Sequence, residues 1–179
     1  FKSAIDAFVA RVKADGSGLD YAGYLGGTGD DQGRSIAVDS GGNAYVAGLT
    51  TSSEKSFSMV GTLDAVFNGG TDAFVAKVNS TGAAVTYSGY IGGSGIDEAY
   101  GIAVDGAGNT YVTGRTNSTE TTFPETVGPD LTANGGFDAF VAKINAAGSA
   151  LNYAGFVGGS SDDEGFGIAV NSTGNAVIT

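Results

Sequence analysis

The sequence predicts an all-β chain: a propeller-like array of four-stranded antiparallel blades with a 66-residue period and about three blade equivalents. Three observations predict it. The stretch Asp6-Ala7-Phe8-Val9-Ala10 returns at Asp72 and at Asp138, and Tyr21-Ala22-Gly23-Tyr24 returns at Tyr87 and Tyr153, always 66 residues on. A fixed period of this size marks a repeat architecture, in which each unit buries its apolar surface against its neighbours. The apolar clusters are short, rich in Val, Ile, Phe and Tyr, and bounded by Gly, Asn, Asp and Ser, which is strand composition. No segment keeps a 3.6-residue period, so helix is not expected beyond an isolated turn.

Four strands are read within the best-framed copy: Asp72 to Val78, Val85 to Ile91, Gly101 to Asp105 and Thr110 to Thr113. Successive side chains of a strand point to opposite faces. In Ala73-Phe74-Val75-Ala76 and in Ile102-Ala103-Val104 neither face is polar, so each sheet must be covered on both sides, and the cover is the next sheet. The last two strands are joined by Asp105-Gly106-Ala107-Gly108-Asn109, residues suited to a tight hairpin. The long stretch from Gly114 to Phe137 reads as a rim loop anchored by Phe123.

Composition excludes several functions. The net charge is −11 with only eight Lys and Arg, which argues against nucleic acid. No run of about 18 apolar residues is present, so membrane insertion by a helix is not expected. Cysteine and histidine are both absent, which removes disulfides, thiolate nucleophiles, imidazole ligands and Ser-His or Cys-His arrangements. The chain begins at Phe1 rather than methionine and reads as a processed protein or a segment of a longer one.

Acidic clusters recur beside a glycine turn: Asp30 and Asp31, Asp97 and Glu98, and Asp162, Asp163 and Glu164. Oxygen-rich loops of this kind are candidate calcium ligands. The alternative, and the favoured one, is that Asp31, Asp97 and Asp163 bond backbone amides of their own turns. No cofactor is otherwise expected. The recurring Asp6, Asp72 and Asp138 read as structural ties, since a residue needed once for a reaction need not appear three times. Adjacent carboxylates such as Asp162 and Asp163 alternate sides on a strand, so a glycosidase pair acting on polysaccharide is the least favoured reading. Gly26-Gly27-Thr28-Gly29 lacks the following helix and Lys-Ser/Thr of a phosphate loop and reads as a turn. Asn79, Asn117 and Asn171 each open an Asn-Ser-Thr sequon and are candidate glycosylation sites.

Asp-Ala-Phe-Val-Ala-Lys, Tyr-Ser-Gly-Tyr-Ile-Gly-Gly, Gly-Ile-Ala-Val-Asp, Gly-Asn-Thr-Tyr-Val-Thr-Gly and Thr-Phe-Pro follow in that order between Asp72 and Pro124. Together they resemble the SBBP repeat, named for a seven-bladed β-propeller of bacterial proteins. Copy one departs from the pattern at Phe57-Ser58, and copy three stops before reaching that point. The resemblance implies an extracellular or cell-surface propeller and implies no reaction. The Ile-Ala-Val-Asp and Gly-Asn-x-Tyr-Val pair is similar to the inner strand pair of related propellers. That phase divides the chain into an outer half-blade (1–35), two blades (36–101 and 102–167) and an inner half-blade (168–179). The two halves are complementary, so self-association or further blades of a longer chain are the expected partners. The function expected is a non-enzymatic structural or adhesive scaffold that assembles head to tail into a ring or filament. The alternative is a module that binds glycan or a surface protein through residues differing between copies, such as Arg34, Tyr100 and Phe166.

Overall fold

A computed structural model of the chain describes residues 5–61 and 63–179. Residues 1–4 of the expected outer half-blade lie outside the described residues. Among those described, the regular structure is strand alone.

Among the described residues twelve strands make four antiparallel sheets in sequence order. The first sheet has two strands, β1 (Ala7–Val12) and β2 (Leu19–Leu25). The second has four, β3 (Asp31–Val38), β4 (Ala44–Thr50), β5 (Asp72–Val78) and β6 (Val85–Ile91), each paired with the next. The third repeats that order with β7 (Asp97–Val104), β8 (Thr110–Thr116), β9 (Asp138–Ile144) and β10 (Leu151–Val157). The fourth again has two, β11 (Ile168–Val170) and β12 (Ala176–Ile178). The register repeats with the period: Val46 faces Ala76 as Val112 faces Ala142.

β7 begins at Asp97, earlier than the Gly101 expected from its apolar stretch. The cause is a β-bulge. The pairing of β7 with β8 shifts between Ala99 and Gly101, which leaves Tyr100 as an extra residue and lets Asp97-Glu98-Ala99 continue the ladder. The same bulge holds Arg34 in β3. Opposite it lie Gly48 and Gly114, where a Cβ would stand 1.8 Å from the carbonyl oxygens of Gln32 and Glu98 respectively.

The sheets stack face to face, as strands apolar on both faces require. In β5 the alternation can be followed residue by residue. Phe74, Ala76 and Val78 pack toward β1 and β2 with Ala7, Val9 and Leu25, whereas Ala73 and Val75 pack toward the third sheet with Ile102, Val112 and Phe140. All seven residues of β4 are buried. The loops after β4 and β8 are pinned by aromatic rings. Phe57 packs on Phe74 and Tyr90 at 5.2 and 5.9 Å, and Phe123 on Phe140 and Phe156 at 5.5 and 5.2 Å. Each loop then runs along the outermost strand: Ser88 and Tyr90 donate N–H to Val60 and Asp64, and Ala154 and Phe156 to Val127 and Asp130. That contact covers the free strand edge.

The β3–β4 and β7–β8 hairpins are fixed by the side chains of Asp39 and Asp105. Asp105 Oδ1 accepts the N–H of Ala107 and of Asn109 at 2.9 Å, and its Oδ2 accepts the Tyr111 hydroxyl at 3.0 Å. Gly108 supplies the positive φ of 85° that closes the turn.

Candidate functional site

Two places in this stack concentrate polar chemistry or unsatisfied surface. One is the joint between successive sheets, and the other is the pair of open faces at the two ends of the array.

The joint is built the same way three times. The N–H of Asp31, Asp97 and Asp163 donates to the carbonyl of Ile5, Thr71 and Phe137, at 2.9, 2.8 and 2.7 Å, and so ties the start of one sheet to the preceding one. The carboxylates of these residues close the glycine turn before them. Asp31 Oδ2 accepts the Gly27 N–H at 2.7 Å and the Ser52 hydroxyl at 2.9 Å, and Thr50 donates to Oδ1. Asp97 repeats this with Gly93 and Ser118, each at 2.9 Å, and with Thr116. Asp163 accepts the Gly159 N–H at 2.7 Å. Burial pushes the Asp97 carboxyl above the usual carboxylate range, while its three donors hold it down.

The other acidic residues of the clusters go elsewhere. Asp30 is exposed, and Asp162 accepts the N–H of Phe137 at 3.0 Å. Glu98 and Glu164 converge on one arginine, Arg115, at 2.8 and 2.5 Å. Among the described residues no three carboxylates come together as a metal-binding group.

Three carboxylates read as structural ties face these turns from the preceding sheet. Asp72, Asp97 and Gly92 meet at one point: a Cβ built on Gly92 would stand 2.9 Å from Asp97 Oδ2 and 3.1 Å from Asp72 Oδ1. Gly26 sees Asp31 and Asp6 at 2.7 Å each, and Gly158 sees Asp138 and Asp163 at 2.6 and 2.9 Å. Asp72 Oδ2 accepts the Asn68 N–H at 2.9 Å, and Asp138 Oδ2 accepts the Asn134 N–H at 3.0 Å. Their Oδ1 atoms are buried without a hydrogen-bond partner. Burial pushes the Asp72 carboxyl up to about 7; the Asn68 N–H pulls it back, and the carboxylates of Asp97 and Asp64 push it up. The facing of these two aspartate series is not visible in the text of one repeat. The available signal was that both series recur at the same period.

The copy-variable positions Arg34 and Tyr100 lie in β3 and β7, and Phe166 just before β11. Arg34 and Tyr100 are the bulge residues, and Tyr100 stacks on Phe166 at 5.3 Å with ring planes 9° apart. Arg115 lies over the Phe137 ring at 4.5 Å. The sequon asparagines Asn79 and Asn171 open hairpin turns, and Asn117 begins the loop after β8. Asn79 and Asn171 use Oδ1 to close their own turns, at 2.9 Å to the N–H of Ala83 and of Asn175, and Asn117 Oδ1 accepts the Ile96 N–H at 2.6 Å.

At the ends the same residue types lie bare. Phe8 is 70% exposed, whereas its counterparts Phe74 and Phe140 are 0% exposed. Tyr24 is 65% exposed against 1% for Tyr90. A groove between β1 and β3, lined by Phe8, Ile36 and Val46, lies beside the edge of β1 where a four-stranded sheet carries its first two strands. At the other end a groove bounded by Val157, Ala176 and Ile178 lies where a four-stranded sheet carries its last two strands. β1 has no partner on one edge among the described residues, and neither has β12.

Comparison with known proteins agrees with the repeat. Residues 20–54 and 86–120 match the family described as SBBP, a beta-propeller repeat. The regulatory protein FlaEY of Caulobacter vibrioides is 33% identical over 171 residues, which is 95% of this chain and 17% of that protein. The chain therefore spans about a sixth of the relative's length.

Proposed function

Because the chain carries SBBP beta-propeller repeats, we propose that it is a non-enzymatic scaffold, extracellular or at the cell surface, whose split blades are completed by units of the same kind. The observation that carries this reading is the complementarity of the two ends. One end offers the last strand pair of a sheet beside a groove that lacks the first pair, and the other offers a first pair beside a groove that lacks the last. Setting β12 of one copy against β1 of the next would produce the strand order β11-β12-β1-β2, the order that β7-β8-β9-β10 already has. Such a contact is heterologous, and its rotation alone decides between ring and filament.

The absence of cysteine and histidine and the threefold recurrence of the carboxylates support a role without catalysis. The placement outside the cell rests on the resemblance of the repeat alone. In a longer chain the completing blades come from adjoining repeats, and in this chain alone they come from a second copy.

Light scattering coupled to size exclusion tests the assembly. The isolated chain is expected to show a weight-average mass at tens of micromolar that is a multiple of 17.6 kDa and that falls on dilution. A stable, monodisperse monomer across that range, with no dye-binding apolar surface, would contradict it.

A further inference from the structure

The blade joint contains an electrostatic arrangement that hydrogen bonding does not resolve. Asp72 is fully buried, and its Oδ1 has no donor. Several acceptor oxygens lie near it. Asp97 Oδ2 faces it across Gly92, and the carbonyls of Gly93 and Gly95 approach the same space, at 2.8 and 2.3 Å from where a Cβ of Gly69 would stand, with Asp72 Oδ1 at 3.1 Å from that point. The next joint repeats the arrangement. Asp138 Oδ1 is buried without a donor and faces Asp163 Oδ2 across Gly158, and the carbonyls of Gly159 and Ser161 stand 3.0 and 2.3 Å from a Cβ on Gly135. Asp6 and Asp31 also lie on either side of Gly26.

A buried carboxylate oxygen surrounded by other acceptors is costly unless something positive lies among them. No Lys or Arg is hydrogen-bonded or ion-paired to Asp72, Asp97 or Asp138 among the described residues. We propose that these two joints are divalent-cation sites of the calcium type, with Asp72 and Asp97 as the two carboxylates of one, Asp138 and Asp163 as those of the next, and glycine-turn carbonyls completing the shell. Two carboxylates balance the charge of one such ion. Calcium takes six to eight oxygen ligands in flexible geometry and accepts backbone carbonyls, the donors that a glycine turn exposes. The joint is also where an ion would act mechanically, since the two carboxylates belong to successive sheets. The site shares Asp97 and Asp163 with the loop clusters and pairs each with an aspartate of the preceding sheet, whereas Asp30, Glu98, Asp162 and Glu164 take no part in it.

Thermal unfolding of the chain in excess calcium and in chelator, at pH 8, tests the proposal. The expected result is a midpoint higher by about 5 °C or more with calcium. In the double variant Asp72→Asn/Asp138→Asn that difference is expected to shrink by more than half. Should this variant fail to fold, equilibrium dialysis of the unaltered chain against calcium gives the second reading, with uptake of at least one ion per chain expected. A midpoint indifferent to calcium, a calcium response kept in full by the double variant, or no uptake in dialysis would each overturn the site. A midpoint that ignores calcium but rises as pH falls below about 7 would assign the gap to a shared proton instead.

Discussion

Replacing Phe140 by alanine is expected to cost the fold about 3–5 kcal/mol, while the same change at Phe8, in the same motif, stays within about 0.5 kcal/mol for the monomer. The contrast follows from cover rather than from sequence. Phe140 is fully buried between the second and third sheets, with Phe123 and Phe156 on one side and the core residues of the second sheet on the other. Removing its ring leaves a void bounded by strands that are hydrogen-bonded on both edges and cannot collapse into it. Phe8 lies on an open face, so its ring leaves water rather than a core. Urea unfolding of the two variants measures both numbers. Equal losses at the two positions would mean that Phe8 is covered in solution, as the assembly predicts at high concentration. The comparison therefore belongs at a dilution where the mass is that of one chain.

The second large effect is expected at Gly114. Opposite Gly114 the Tyr100 bulge brings the Glu98 carbonyl to 1.8 Å from the place of a Cβ, with the Cα of Ala99 at 2.8 Å. These are backbone atoms of a paired strand, so no side-chain rotation relieves the clash. Gly114→Ala is expected to destabilise by about 3 kcal/mol or more, near the upper end of single-residue effects, and Gly114→Val to abolish the cooperative transition. Ala at Gly106, where nothing lies within 4 Å of a Cβ, is the control and is expected to be neutral. Thermal unfolding followed by near-ultraviolet circular dichroism separates the three variants. A Gly114→Ala chain as stable as the parent would show that the bulge is not held as described.

Both effects bear on what the sequence makes legible. The period, the strand composition and the turn residues announce the repeat, because each unit carries the same local instructions. Strand starts are less legible: β7 reaches back to Asp97 only because Tyr100 is bulged, and a bulge has no signature in a single copy beyond the glycine opposite it. Burial is not legible at all from a repeated motif. Phe8, Phe74 and Phe140 are written identically and differ in exposure because of what lies beside their sheets. The turn role of Asp31, Asp97 and Asp163 follows from their place after Gly-Gly, as the favoured reading has it. The meeting of Asp72 with Asp97 requires two successive sheets to be in place, and no local pattern reports it.

The central claim is that the two half-sheets complete each other in the register of the whole ones. The chain has no cysteine, so a cross-link can be placed without background. Val46 faces Ala76 and Val112 faces Ala142, and the same register between copies sets Ile178 against Ala10. Facing residues of antiparallel strands bring Cα atoms to about 4.5–5.5 Å, within the range a disulfide spans. Under mild oxidation the double variant Ala10→Cys/Ile178→Cys is predicted to give a ladder of covalent multimers, and the off-register pair Ala10→Cys/Ala176→Cys is predicted to give little. Equal yields from the two pairs, or a monomer from both, would contradict the completion of one split blade by another.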